Sequence, residues 1–287
     1  MGKDAPIIKE DRTMGLRIAN NIAAMTTHRW LAKADNELGK SLERLSSGYR
    51  INRAADDAAG LSISSRFRAQ IVSLQAASRN TSEANALVQV AEGAMNETNS
   101  ILTRLKELAT QAASSNVSTV DIGKINEEAN ALLLEIDRIA NSTKYGGTAL
   151  LNTSYAGTFQ VGYENDVQSQ ISFTISSVTT TGIGLGTVDI MNSQATAQAA
   201  LTTIDSAIST LATRRGNLGA IQNRLTYASA NLASTVENYQ AAESVIRDVD
   251  MAWEMTSFTK NQILLQSGTA MLAQANQSSQ VVLQLFA

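Results

Sequence analysis

The chain of 287 residues has no cysteine, one proline, one histidine and 13 aromatic side chains. About 14 prolines would be ordinary at this length, at roughly 5% usage. Because the single one is Pro6, no pyrrolidine ring interrupts a helix anywhere in the 281 residues that follow. Without cysteine there is no disulfide framework, no thiolate nucleophile and no Cys-ligated metal site. With His28 alone, a zinc site or a serine triad has one imidazole to build on, and between Thr27 and Arg29 it reads as an ordinary helix-surface residue. A hydrolase is disfavoured, and no cofactor is implied. The net charge of −3 lacks the concentrated basic face of a nucleic-acid binder. No apolar run reaches the roughly 18 to 20 residues that span a bilayer, and the N-terminus lacks the basic start and apolar core of a Sec signal. A soluble chain is expected, one that needs another route if it leaves the cell.

What is present is helical periodicity. Six of the first 13 residues are charged, and they read as a polar extension. Leu31, Leu38, Leu42 and Leu45 then recur with helical spacing up to Gly48. A longer seam follows: Gly60, Ile63, Phe67, Gln70, Leu74, Ala77, Thr81, Ala84, Val88, Ala91, Met95, Thr98, Leu102, Leu105 and Ala109 alternate spacings of three and four. That pattern predicts a helix packed along its whole length, about 75 Å at 1.5 Å per residue. A third stripe, Ile122, Ile125, Ala129, Leu132, Ile136 and Ile139, would fold back through the polar turn at 114–119. A fourth runs through Leu201, Ile204, Ile208, Leu211, Leu218, Ile221, Leu225, Ala228 and Leu232 to Tyr239, Ala242, Ile246, Val249 and Trp253. Its drift is that of a nearly straight helix.

The middle differs in kind. Seven of the 17 glycines lie between Tyr145 and Gly186, where helix stops. Phe159, Val161 and Tyr163 alternate, as do Ile171, Phe173 and Ile175, which predicts a β-hairpin. Ser172, Thr174, Ser176, Ser177, Thr179, Thr180 and Thr181 form a hydroxyl cluster, either plain strand and loop chemistry or a site of glycan attachment. The last 37 residues carry only Glu254 and Lys260 as charges. Ordering them costs on the order of 40 to 70 kcal/mol at ~1 to 2 per residue, so the tail needs a partner. The natural partners are the helix around Leu31 to Leu45 and copies of itself. The expected fold is mainly α: an elongated antiparallel helical bundle or coiled coil, with a small β-hairpin region in the middle.

The stretch LSSGYRINRAADDAAGLSIS at 45–64 closely resembles the signature of bacterial flagellins, and RFRAQIVSLQAASRNTSEA continues it. So do TRLKELATQAAS at 103–114, EIDRIANSTKYGGTALLN at 135–152 and RDVDMAWEMTSFTKNQILLQSGTAMLAQANQ near the end. The resemblance spans Met14 to Ala287. Three departures stand out: residues 1–13 precede the usual start, Ser279 replaces the usual proline of the final turn, and the large outer domains are absent, as in a core-only flagellin.

The resemblance implies a non-enzymatic, extracellular structural subunit of the flagellar filament, exported by the flagellar type III route without a cleaved Sec signal. It divides the chain into an extension at 1–13, an inner-tube helix and connector at 14–57, bundle helices at 58–144, hairpin and loop at 145–190, a bundle helix at 191–247 and a second inner-tube helix at 248–287. Leu31, Leu38, Leu42 and Leu45 would pack with Ile263, Leu264, Leu272, Val282 and Leu285. Arg50, Arg53, Asp56 and Asp57 either belong to a solvated connector, with the aspartates before a helix start, or form polar pairs between subunits.

Arg104, Leu108 and Glu128 fall where flagellins contact the vertebrate Toll-like receptor for flagellin, although an ordinary solvated helix face accounts for them equally. The partners implied are further copies of the chain, an export chaperone at the C-terminal helix, and the filament cap and hook–filament junction proteins. Neither nucleic acid nor a membrane is implied. A hook–filament junction protein is the nearest alternative. An enzyme lacks any HExxH, P-loop or GxSxG motif, and a helical signalling module would keep polar faces at both ends.

Overall fold

The computed structural model describes residues 20–186 and 192–285, the last seven by backbone alone. The extension 1–13 and the side chains of Ser279, Val282 and Leu285 lie outside the described residues. In chain order the elements are α1 (Ile22–Ser47), α2 (Ala58–Ala112), α3 (Thr119–Ser142), β1 (Lys144–Tyr145), β2 (Thr148–Ala149), β3 (Tyr155–Gln160), β4 (Gln170–Ile175), α4 (Gln194–Arg247) and α5 (Met251–Leu285). With no proline to break them, α2 and α4 run for 55 and 54 residues. The described residues form two units, 20–65 with 243–285, and 66–242.

The larger unit is built from α2 beyond residue 65, α3, the strands and most of α4. Within it α4 runs antiparallel to α2, with Asp205 pairing to Lys106 and Gln222 to Glu92. Arg104 Nη2 on α2 donates to Glu128 Oε1 on α3 at 2.9 Å, and Gln222 Nε2 on α4 donates to Glu92 Oε2 on α2 at 3.0 Å. The α2 seam is enclosed from Leu74 to Ala109, including Thr81 and Thr98. The hydroxyls of these two threonines donate to the carbonyls of Ala77 and Ala94 four residues back, so neither is left unpaired inside the core. Serine and aspartate set the start of α3: Ser118 Oγ accepts from Asp121 N at 3.2 Å.

Small shifts of face separate expectation from structure. On α3 the expected Ile122, Ile125, Ala129 and Ile136 are enclosed, but they are joined by Leu133 and Ala140, while Leu132 and Ile139 are half-buried. On α4 the expected Ile204, Leu211, Leu218, Ile221, Leu225 and Leu232 are buried, joined by Ala197, Ala200 and Ala207. Trp253, placed at the end of that stripe, is exposed on α5. In the smaller unit, Ile63 at the start of α2 is exposed while Ser64 is enclosed.

The hairpin forms from β3 and β4, antiparallel, with Tyr155 opposite Ile175 and Gln160 opposite Gln170. Ile171, Phe173 and Ile175 face inward, and Phe159 stacks on Phe173 with centroids 4.6 Å apart. Tyr163 lies beyond β3, its hydroxyl 3.5 Å from that of Tyr239. A second, smaller hairpin, β1 with β2, turns on Gly146 and Gly147, both at positive φ.

Candidate functional site

The terminal helices come together in the smaller unit. Asn21 caps α1, its Oδ1 accepting from Ala24 N at 3.0 Å, and its Nδ2 donates to the Ala275 carbonyl on α5, also at 3.0 Å. Gly48 ends α1 in the left-handed conformation with its N–H on the Arg44 carbonyl. The chain then runs beside the link between α4 and α5: Arg50 N donates to Arg247 O at 2.7 Å, and Val249 N donates to Gly48 O at 3.0 Å. The Arg247 guanidinium lies 4.3 Å over the Tyr49 ring. Asp250 starts α5 by accepting from Trp253 N at 3.0 Å.

Between α1 and α5 the contact is made by small residues and one buried ion pair. Ala34 and Ser41 are enclosed on α1. On α5, Gly268 sits so near Leu31 that an added Cβ would lie 2.9 Å from Leu31 Cδ1. Glu254, one of only two charges after residue 250, is enclosed and 3.6 Å from Arg44 Nη1. A lone carboxylate there would be strongly destabilising, so the pair fixes which faces meet.

Of the residues expected to pack between the terminal helices, Leu31, Leu38, Leu45 and Leu272 are half-buried. Leu42, Ile263 and Leu264 point away and are exposed, which corrects their placement. They have company. Ile22, Met25, Trp30 and Leu42 on α1, and Met251, Trp253, Met255, Ile263, Leu264 and Met271 on α5, make ten of the nineteen exposed large hydrophobic side chains among the described residues. Large apolar side chains on a helix face are normally covered, and α1 covers one side of α5.

The connector residues find partners inside the chain. Asp57 Oδ1 accepts from Gly60 N at 2.8 Å and caps α2. Asp56 Oδ2 accepts from Arg53 N at 2.9 Å and from Asn52 N at 3.2 Å. The Arg53 N–H above all, against an opposing effect of burial, holds the Asp56 carboxyl below its ordinary range. Its contribution is therefore present at neutral pH and lost as the pH falls through that lowered value. Arg53 Nε pairs with Glu43 at 3.0 Å, and Arg50 Nη2 donates to the Ile246 carbonyl at 2.6 Å. Gly60 leaves room for both neighbours: a Cβ there would lie 2.6 Å from Asp57 Oδ2 and 2.7 Å from Ile51 Cδ1, so the capping carboxylate and the isoleucine would have to shift.

In the larger unit, Arg104 and Glu128 share an exposed cluster with Glu107, whose hydrogen bond is the main cause that raises the Arg104 pKa. Leu108 does not join them, being 2% exposed and part of the core. Of the hydroxyl cluster, Ser172, Thr174 and Thr181 are exposed, while Ser176, Ser177 and Thr179 are half-buried. Thr180 is buried, its N–H and Oγ1 held by the two Asp137 carboxylate oxygens at 2.8 and 2.9 Å, so it offers no free hydroxyl. Ser177 Oγ donates to Asn152 O at 3.0 Å, and Arg214 ties the Ser177 and Gly182 carbonyls. His28 is on the exposed side of α1.

Paired terminal helices with uncovered apolar faces, joined to a helical body, define a self-assembling structural subunit. The bacterial flagellin N-terminal helical region matches residues 18–156 and the bacterial flagellin C-terminal helical region matches 201–286; the chain belongs to the bacterial flagellin family. It is 41% identical to the flagellin of Bacillus subtilis (strain 168), over 94% of this chain and 99% of that one. It is 44% identical to the flagellin of Halalkalibacterium halodurans, over 93% and 98%. A crystal structure of Bacillus cereus flagellin matches 57% of this chain and 94% of its own, at 29% identity and a TM-score of 0.48. The chain is a structural subunit that self-assembles into the extracellular flagellar filament, which disfavours the hook–filament junction alternative.

Proposed function

We propose that the α1/α5 pair is the element through which subunits polymerise, its outer faces closing against neighbouring copies in a repeating, non-closing contact. The observation that carries this is the ten uncovered hydrophobic side chains on a two-helix unit. Ordering of the termini is completed when those faces are covered, as coupled folding and binding requires. A chain ending at Asp250 should stay in the supernatant after seeding with filament fragments, whereas the full chain pellets. Equal pelleting would overturn the proposal.

The remaining contacts follow from the same chemistry. Before export, an uncovered α5 suits a chaperone that shields apolar surface, and the flagellar type III route carries the subunit out of the cell. At the filament ends, the same faces suit the cap and hook–filament junction proteins. The subunit acts by packing, without catalysis or cofactor, and no described helix is long and apolar enough to cross a membrane.

Arg50, Arg53, Asp56 and Asp57 hold the connector that presents the pair, and the exposed edges of Arg50 and Arg53 are available to a neighbouring copy. Asp57→Ala removes the α2 cap, worth about 1 kcal/mol, and should give misshapen or fewer filaments in electron micrographs; filaments of unaltered form would count against the connector's part in assembly.

On the larger unit, the Arg104 and Glu128 cluster offers a charged surface to a Toll-like receptor. Arg104→Ala should lower receptor signalling by free subunit several-fold and shift stability by less than about 1 kcal/mol, as exposed ion pairs do. Unchanged signalling would remove this contact. Glycans, where present, would sit on Ser172, Thr174 or Thr181, the exposed members of the hydroxyl cluster.

A further inference from the structure

The described methionines are unevenly placed. Met95 is enclosed in the core of the larger unit, whereas Met25 on α1 and Met251, Met255 and Met271 on α5 are each about half exposed or more. The chain has no cysteine, so methionine is its only sulfur. An unbranched, polarisable thioether adapts to irregular contacts and suits a face that closes against another copy. Its sulfur lone pair is also open to oxidants while that face is in water.

We propose that these four methionines are an oxidation site that controls whether a free subunit can join the polymer. The inference rests on the α1/α5 pair being the polymerising element. Hydrogen peroxide supplies the oxygen: the sulfur lone pair attacks one peroxide oxygen, a sulfur–oxygen bond forms and the O–O bond breaks. The departing hydroxide takes up the proton left on the transferred oxygen and leaves as water. Sulfur is oxidised by two electrons and the peroxide reduced by two. The sulfoxide is a strong hydrogen-bond acceptor on a formerly apolar side chain. Pressed against an apolar neighbour it is unsatisfied, and the subunit is rejected. Once a subunit is in the filament its faces are covered and the sulfurs are shielded. Methionine sulfoxide reductases reverse the change.

The test treats full-length monomer with hydrogen peroxide, maps the added oxygen by peptide mass spectrometry, and measures pelleting after seeding. Oxidised wild-type protein should stay in the supernatant and regain pelleting after reductase treatment. The same peroxide applied to assembled filaments should spare the four sulfurs. The Met25→Leu, Met251→Leu, Met255→Leu, Met271→Leu variant, which has no thioether at these positions, should pellet after peroxide treatment to the same extent as it does before treatment. Normal pelleting of wild-type protein oxidised at the four positions overturns the inference, as does equal oxidation in monomer and filament, or an oxidised variant blocked like the wild type. If the untreated variant fails to pellet, reductase rescue of the wild type decides alone: rescue supports the site, and its absence overturns it. Untreated wild-type protein that does not seed would instead remove the assembly reading on which the inference stands.

Discussion

Trp253→Asp should leave a folded monomer that scarcely adds to filaments, with the critical concentration for polymerisation raised on the order of 100-fold or more. Trp253 is 68% exposed near the start of α5, and its backbone N–H is anchored on Asp250. Little in the monomer depends on the indole, so its replacement should shift monomer stability by no more than about 0.5 kcal/mol. The polymer is another matter. Covering roughly 150 Å² of indole at about 25 cal/mol per Å² contributes about 3 to 4 kcal/mol per subunit added. Each 1.4 kcal/mol is a factor of ten. A carboxylate pressed into the same place adds its own desolvation penalty. Sedimentation across a concentration series measures the shift, and thermal unfolding of the monomer is the control. A critical concentration equal to that of the wild type would show that this face stays in water.

The regular parts of the fold were legible because their signal is one-dimensional. Spacings of three and four from Leu74 to Ala109 track a single helix face, and those residues are enclosed on α2. Alternation marked Ile171, Phe173 and Ile175 as the inner face of β4. Small offsets, Leu133 for Leu132 and Ala140 for Ile139, are the slip between a strict heptad and a 3.6-residue turn. The β1–β2 hairpin escaped notice because two-residue strands have no period to read.

The site was legible in part. An almost uncharged tail announces that α5 needs partners, but a helix with apolar residues on more than one side does not say which side meets α1. Leu42, Ile263 and Leu264 therefore read as inward, whereas the structure brings Gly268 against Leu31 and encloses Ala34 and Ser41, small side chains that carry little hydropathy. Glu254 stood out as a charge in an uncharged stretch, yet its partner, Arg44, is 210 positions away and only the fold joins them. The connector aspartates were recognised as a cluster, while their acceptor roles toward Gly60, Asn52 and Arg53 are local geometry that composition does not carry.

Leu105→Ala should do the reverse of the tryptophan change, destabilising the larger unit by about 3 kcal/mol, within the 2 to 5 typical of buried leucine truncation. Leu105 is fully enclosed within the core cluster that residues of α2, α3, α4 and β4 share. Removing three carbons there forfeits their transfer free energy and leaves a space that flanking helices, fixed by the Arg104–Glu128 and Gln222–Glu92 contacts, close only in part. Leu134→Ala on α3, where the side chain is 71% exposed, should change stability by under about 0.5 kcal/mol. Urea unfolding of the full-length monomer separates the two, with a lower midpoint and unchanged slope expected for Leu105→Ala. Well below its unfolding midpoint this variant should still seed at nearly the wild-type critical concentration, because its α1/α5 faces are intact. A large rise in critical concentration with no loss of monomer stability would instead move the polymerising surface onto the larger unit, since no folding defect would then account for it.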